Sequence, residues 1–266
     1  MSSIYSLHRG TLPLLVSVPH AGTEVPREIA RRFTLAGQAL TDTDWYVDEL
    51  YAFARELGAS MIVANYSRYV VDLNRSRDSQ SLYASNPTSP VCPTNTFAGE
   101  PIYMPGEAPS ENEVGERVAR YWQPYHSQIE AELDRLHAAH GFVLLWDAHS
   151  VGSEVPGLFE GVLPEFNFGT RDDQSYPRPQ GESLLARVTG EGKYGAVLNG
   201  RFKGGYITLN NGRPSARRYA IQLELAQRVY MDERAPKTLD PIKLNAAAQI
   251  IRGLIEFALK QLPVDG

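Results

Sequence analysis

Apolar positions along the chain fall into two kinds of run. The first kind is short and unbroken: LLVSV (14–18), SMIVAN (60–65), RYVVDLN (68–74) and FVLLW (142–146) have the length of buried β-strands. GAVLNG, GGYITLNNG and RRYAIQLEL, within 195–225, predict further strands joined by tight turns. The second kind repeats every three or four residues. Val47, Leu50, Tyr51, Ala54 and Leu57 predict one helix over 44–58, closed by Gly58. Val114, Val118, Tyr121, Trp122, Tyr125, Ile129, Leu133 and Leu136 line one face of a helix over 111–141, which Pro124 should kink or split. Residues 182–190 predict a short helix and 241–262 a long C-terminal one. Residues 152–181 read as loop, as do 76–110, where Pro87, Pro90, Pro93, Pro101 and Pro105 break any period. An irregular stretch of the latter length suits a lid or binding loop.

Unbroken apolar strands between amphipathic helices predict an α/β fold: a single domain over 1–266 with a central mixed, mostly parallel sheet flanked by helices. Composition narrows the function little. The net charge of −5 and the lack of a basic stripe argue against a nucleic-acid partner. The apolar run 12–18 is too short and too interrupted by Pro13 to cross a membrane, and no segment implies a protein partner. Cys92 is the single cysteine, so no intramolecular disulfide forms, and a cytoplasmic location is expected.

In an open α/β sheet, ligands bind beyond the carboxyl ends of the strands. LLVSV leads to His20, FVLLW to Asp147 and His149, and YVVDLN to Asp72, Asn74 and Arg75. Two histidines at such ends suit Zn²⁺, or another divalent metal, with a carboxylate as third ligand. Glu24, Asp44 and Asp48 all follow the first strand and are candidates for it. A helix N-cap is the competing role for Asp44, and a hydrogen-bonded structural role the competing one for each histidine. Glu224, in AIQLEL, is either a solvent-facing strand residue or a carboxylate placed for proton transfer. Arg75 with Asn74, and Arg201 with Lys203 in NGRFKGGYIT, offer cationic groups for an acidic small-molecule substrate; the competing roles are a surface arginine paired with Asp72 or Asp78 and a plain hairpin turn. Ser150 beside His149 lacks a G-x-S-x-G elbow, which argues against a nucleophile.

The segments SVPHAGTEVP, TDTDWYVDELY, RYVVDLNR, WDAHSVGS, NGRFKGGYIT and AIQLELAQRVYM, in this order from about residue 11 to 232, resemble the N-formylglutamate amidohydrolases. The resemblance implies a zinc-carboxypeptidase-like (phosphorylase/hydrolase-like) fold related to the aspartoacylases. It implies release of formate from N-formyl-L-glutamate in histidine degradation. It makes His20 and His149 metal ligands, Glu224 the general base, and Asn74 and Arg75 the grip on a substrate carboxylate. The acidic ligand is expected at Asp44, then Asp48, then Glu24, because Thr23 stands where the carboxypeptidase HxxE spacing has its acid. Arg75 could also assist the oxyanion, and Arg201 and Tyr206 are further substrate contacts. Tyr219 stands where related chains carry a histidine. A metallohydrolase of other specificity, acting on N-acyl amino acids or as a carboxypeptidase, and a metal-free binder of acidic amino acids are the competing readings.

Overall fold

A computed structural model describes residues 3–78, 90–190, 192–234 and 238–263. Its frame is one seven-stranded sheet: β1 (Tyr5–His8), β2 (Leu14–Val18), β3 (Ser60–Ala64), β4 (Val143–Val151), β5 (Phe166–Gly169), β6 (Ala196–Leu198) and β7 (Arg218–Ala226). The spatial order is β1-β3-β2-β4-β7-β5-β6. β3, β2, β4 and β7 run parallel, β5 runs parallel to β6, and β1 and β5 are antiparallel to β3 and β7. The expected mixed, mostly parallel sheet is the one observed.

The helices are α1 (Arg27–Ala30), α2 (Leu35–Ala39), α3 (Val47–Leu50), α4 (Phe53–Leu57), α5 (Glu111–Arg117), α6 (Gln123–His140), α7 (Arg178–Thr189), α8 (Tyr206–Asn211) and α9 (Pro241–Lys260). α9 starts where the Asp240 carboxylate accepts from the Ile242 and Lys243 N–H groups and Pro241 presets the first turn. None of these helices is long and apolar enough to cross a membrane.

Strand parity creates two apolar layers. Leu14, Val16, Val18, Leu144, Trp146, Ile221 and Leu223 face one layer, with the apolar stripe of α9 packed into it. Leu15, Val143, Leu145 and Ala220 face the other, under Tyr125, Ile129, Leu133 and Leu136 of α6. Successive side chains of a strand alternate faces. The second face therefore continues along β4 to Asp147 and His149, and along β7 to Gln222 and Glu224. The same sheet surface is apolar toward its amino-terminal edge and polar toward its carboxyl edge. All four polar side chains are nonetheless buried.

Several sequence expectations are corrected. The helix expected over 44–58 is two short ones, because Tyr46 takes a left-handed backbone (φ 59°) and the chain turns again between Leu50 and Phe53. Residues 68–74 form turns, with Val70 N–H bonded to Ser67 O and Arg75 N–H to Asp72 O. Pro124 does not split the long helix. A π-helical turn, Val118–Trp122, joins α5 to α6 and places the proline in the first turn of α6. Residues 206–211 are helix rather than strand, since Asn74 captures the first two N–H groups: its backbone carbonyl takes Tyr206 and its Oδ1 takes Ile207. β5 forms inside the stretch read as loop, where it pairs with β7, and α7 begins four residues before the expected 182. Part of the 76–110 loop, residues 79–89, lies outside the described residues.

Candidate active site

The polar half of the second face opens into a cavity of about 390 Å³, lined among others by His20, Asp44, Arg68, Asp72, Asn74, Arg75, Phe97, His149, Arg201, Lys203, Gln222 and Glu224. Its floor is set by strand register. β4 and β7 align Asp147 with Gln222 and His149 with Glu224, and β2 aligns Ser17 with Asp147. His20 arrives two residues past the end of β2, and the Asp44 N–H is tied to the His20 carbonyl at 3.1 Å.

Three side chains converge there. His149 Nδ1 lies 3.1 Å and His20 Nδ1 3.8 Å from Asp44 Oδ2. One nitrogen of each histidine and one oxygen of Asp44 all fall within 4.8 Å of one another. Each histidine is held from behind by a second carboxylate: His20 Nε2 lies 2.8 Å from Asp72 Oδ1, and His149 Nε2 3.1 Å from Asp147 Oδ2. For His20 this places the Nε2–H on Asp72 and turns the Nδ1 lone pair inward. His20 Nδ1 is buried and has no hydrogen-bond partner among the described residues. A buried imidazole nitrogen without a partner, a second imidazole and a carboxylate on one point match the donor set of a divalent ion such as Zn²⁺. The residues fit that group.

Charge around the cluster is tightly compensated. Arg68, only 8% exposed, donates from Nη2 to Asp72 Oδ2 at 2.7 Å and lies 3.7 Å from Asp44 Oδ1. Burial alone would raise the Asp72 carboxyl, but Arg68 and His20 overcome it and hold it well below the usual range. Burial, joined by the Arg68 charge, lowers His20 despite its acidic neighbours, which favours the neutral ring a metal needs. His149 moves the other way: burial opposes its protonation, yet Asp147 and Asp44 outweigh it. Without a cation, a proton is held between His149 and Asp44; a bound cation would displace it. With no cation beside it, burial pushes Glu224 up to about 8, against the pull of His149; a cation on the His-Asp-His cluster would draw it back toward the ionised form.

The other candidate residues separate. Asp48 sits on α3 outside the cluster, and exposed Glu24 pairs its backbone with Tyr66. Asp44 is not a helix cap: α3 begins three residues later, after the left-handed Tyr46, so Asp44 and Asp48 are not one helical turn apart. Arg75 lines the cavity while its carbonyl accepts from Trp122 Nε1 at 2.9 Å. Asn74 is buried and committed within the protein. Its Oδ1 takes the Ile207 N–H, and its Nδ2 lies 3.0 Å from His149 Nε2. Gly205 packs so closely on this amide that a Cβ could not fit. Arg201 lines the cavity from an exposed position and donates to the Leu158 carbonyl. Tyr206 is outside the lining, packed against Trp122 and His126. Arg68, Gln222 and Phe97 escaped the sequence reading. Arg68 precedes Asp72 by four residues, a spacing that could have marked the ion pair, and Gln222 shares the strand parity of Glu224; Phe97 left no such signal.

Fold and cavity together define an α/β protein with a buried His-Asp-His cluster at the carboxyl edge of its sheet. Residues 12–231 match the family model of N-formylglutamate amidohydrolase. Curated N-formylglutamate deformylases of Pseudomonas aeruginosa and Pseudomonas putida are 47% and 45% identical to the chain, over 97% of it and 97% of each relative. The solved N-formylglutamate amidohydrolase of Ralstonia eutropha superposes with a TM-score of 0.78 at 23% identity over 96% of both chains. A gene product of Agrobacterium tumefaciens superposes with a TM-score of 0.75 at 17% identity, over 98% of this chain and 96% of that one. These two likenesses show the fold. The chain belongs to the N-formylglutamate amidohydrolase family.

Proposed function

We propose that this chain hydrolyses the formyl amide of N-formyl-L-glutamate to formate and L-glutamate, with a divalent cation, Zn²⁺ first, held by His20, Asp44 and His149. The observation that carries this reading is the buried His20 Nδ1, without a hydrogen-bond partner among the described residues, beside Asp44 and His149 in a chain so close to named deformylases. When bound, the cation supplies Lewis-acid polarisation of an amide carbonyl and acidifies water.

The protein's own groups do the rest. Glu224, across the ladder from His149, takes the proton of a water as its oxygen adds to the formyl carbon. As the C–N bond breaks, Glu224 returns that proton to the departing nitrogen. Arg75, Arg201 and Lys203 give the cavity wall the positive charge that two substrate carboxylates need. Arg68, paired with Asp72, keeps positive charge beside Asp44.

The test is metal analysis with formate release. Purified protein should carry about one divalent ion, and chelation should abolish formate release that added Zn²⁺ restores. His149→Ala should lose the ion. Glu224→Gln should keep it and lose turnover by a factor on the order of 10²–10⁴. Unimpaired deformylation by metal-stripped protein sinks the proposal.

A further inference from the structure

Glu224 is bonded, among the described residues, to one side-chain donor. Gln222 Nε2 donates to Glu224 Oε2 at 3.1 Å. The two residues are two apart on β7, so their side chains lie on the same face. Gln222 is only 4% exposed and lines the cavity. Its amide cannot be reversed. The Gly205 N–H donates to Oε1 at 2.8 Å, and Asn74 Nδ2 lies 3.5 Å from the same oxygen. With the oxygen held by backbone N–H, only the NH₂ end can face Glu224.

We infer that Gln222 is the positioning residue for Glu224, fixing one carboxylate oxygen so that the other is presented to water and substrate. A carboxylate on a flexible two-carbon stem has several rotamers and two equivalent oxygens; proton transfer requires one oxygen within hydrogen-bond reach of the reacting atom. One charge-assisted bond from a rigid donor selects a single arrangement. Apolar residues of similar length pack as well but donate nothing. Because Gly205 belongs to the same loop as Arg201 and Lys203, Gln222 also ties the base to the cationic wall. A shift of that loop is transmitted to Glu224 through one amide.

This inference rests on Glu224 acting as the base, and the experiment separates the two. Gln222→Met keeps the length and removes the donor to Glu224 together with the oxygen that takes the Gly205 N–H. Gln222→Glu keeps an oxygen for Gly205 but sets a second acid against Glu224, and it decides the matter if the methionine variant does not fold. In the variant that folds with unchanged metal content, kcat should fall about 10- to 100-fold, the scale of a lost hydrogen bond to a charged group. KM for N-formylglutamate should change less than kcat in Gln222→Met, since Arg75, Arg201 and Lys203 are retained and the Arg171 N–H still holds the loop at the Lys203 carbonyl, 2.7 Å away. A folded variant that keeps kcat within twofold overturns the inference, as does a loss of kcat that follows loss of metal. If Glu224→Gln keeps its turnover, the base assignment itself fails, and this inference with it.

Discussion

Arg68 is the residue on which the cluster's charge balance turns. It stands between Asp44 and Asp72, with the Phe97 ring stacked on its guanidinium at 4.7 Å. Arg68→Met would leave two buried carboxylates without their compensating cation. Removing one partner of a buried ion pair costs about 3–5 kcal/mol, and that loss is expected in urea-unfolding midpoints of metal-free protein. Added Zn²⁺ should narrow the deficit, because a cation beside Asp44 replaces part of the missing charge. A second residue sets acid stability. His126 is buried with its Nε2 2.8 Å from the Leu73 carbonyl, and burial lowers its pKa from 6.5 to about 4. Between those values the unfolded chain holds a proton that the folded one refuses. Stability therefore falls as pH drops from about 6.5 to about 4 and levels off below, by about 3 kcal/mol in all. His126→Gln should flatten that stretch of the unfolding free energy against pH; an unchanged slope assigns it to other groups.

At the level of elements, the face switch along β4 and β7 is what the sequence discloses only in part. In FVLLWDAHSV the apolar run suggests a strand ending at Trp146, yet the strand continues to Val151. Polar residues stay in the ladder because each finds a buried partner, Asp147 with His149 and Gln222 with Glu224, which a one-dimensional pattern cannot show. The central strands and α9 were legible because their apolar periods are strong, and both histidines because they follow such runs. The turns over 68–74 and the helix at 206–211 were not, since Asn74 and the long-range bond from Asp72 N–H to the Val91 carbonyl decide them. The acidic ligand stayed open among three residues because a left-handed Tyr46 changes which acid faces His20. The π-helical turn has a matching role. It ends at Trp122, and four residues later His126 follows; the two side chains grip the Arg75 and Leu73 carbonyls on either side of Asn74. Trp122→Phe keeps the ring and removes one grip. A lost neutral hydrogen bond is worth about 1 kcal/mol, so KM for N-formylglutamate should rise roughly fivefold with kcat held. An unchanged KM would show that Arg75 needs no such anchor.

For the whole molecule, the strand order matters more than any single contact. The residues of the candidate site come from positions 20, 44, 68, 72, 149, 222 and 224, and the sheet gathers them only when β7 lies between β4 and β5. During synthesis, every member of the His-Asp-His cluster leaves the ribosome before residue 218 begins β7. Until then β4, nine residues long and buried along its whole length in the finished fold, has one edge without a partner, and β5 has nothing to seat against on that side. Such an edge is a template for pairing with a neighbouring chain. A chain cut after Gly212 is therefore expected to pellet on centrifugation and to bind an apolar dye that the full chain excludes. The late arrival of β7 leaves that edge open in the newborn chain, and it couples the birth of the candidate proton acceptor to the closing of the sheet.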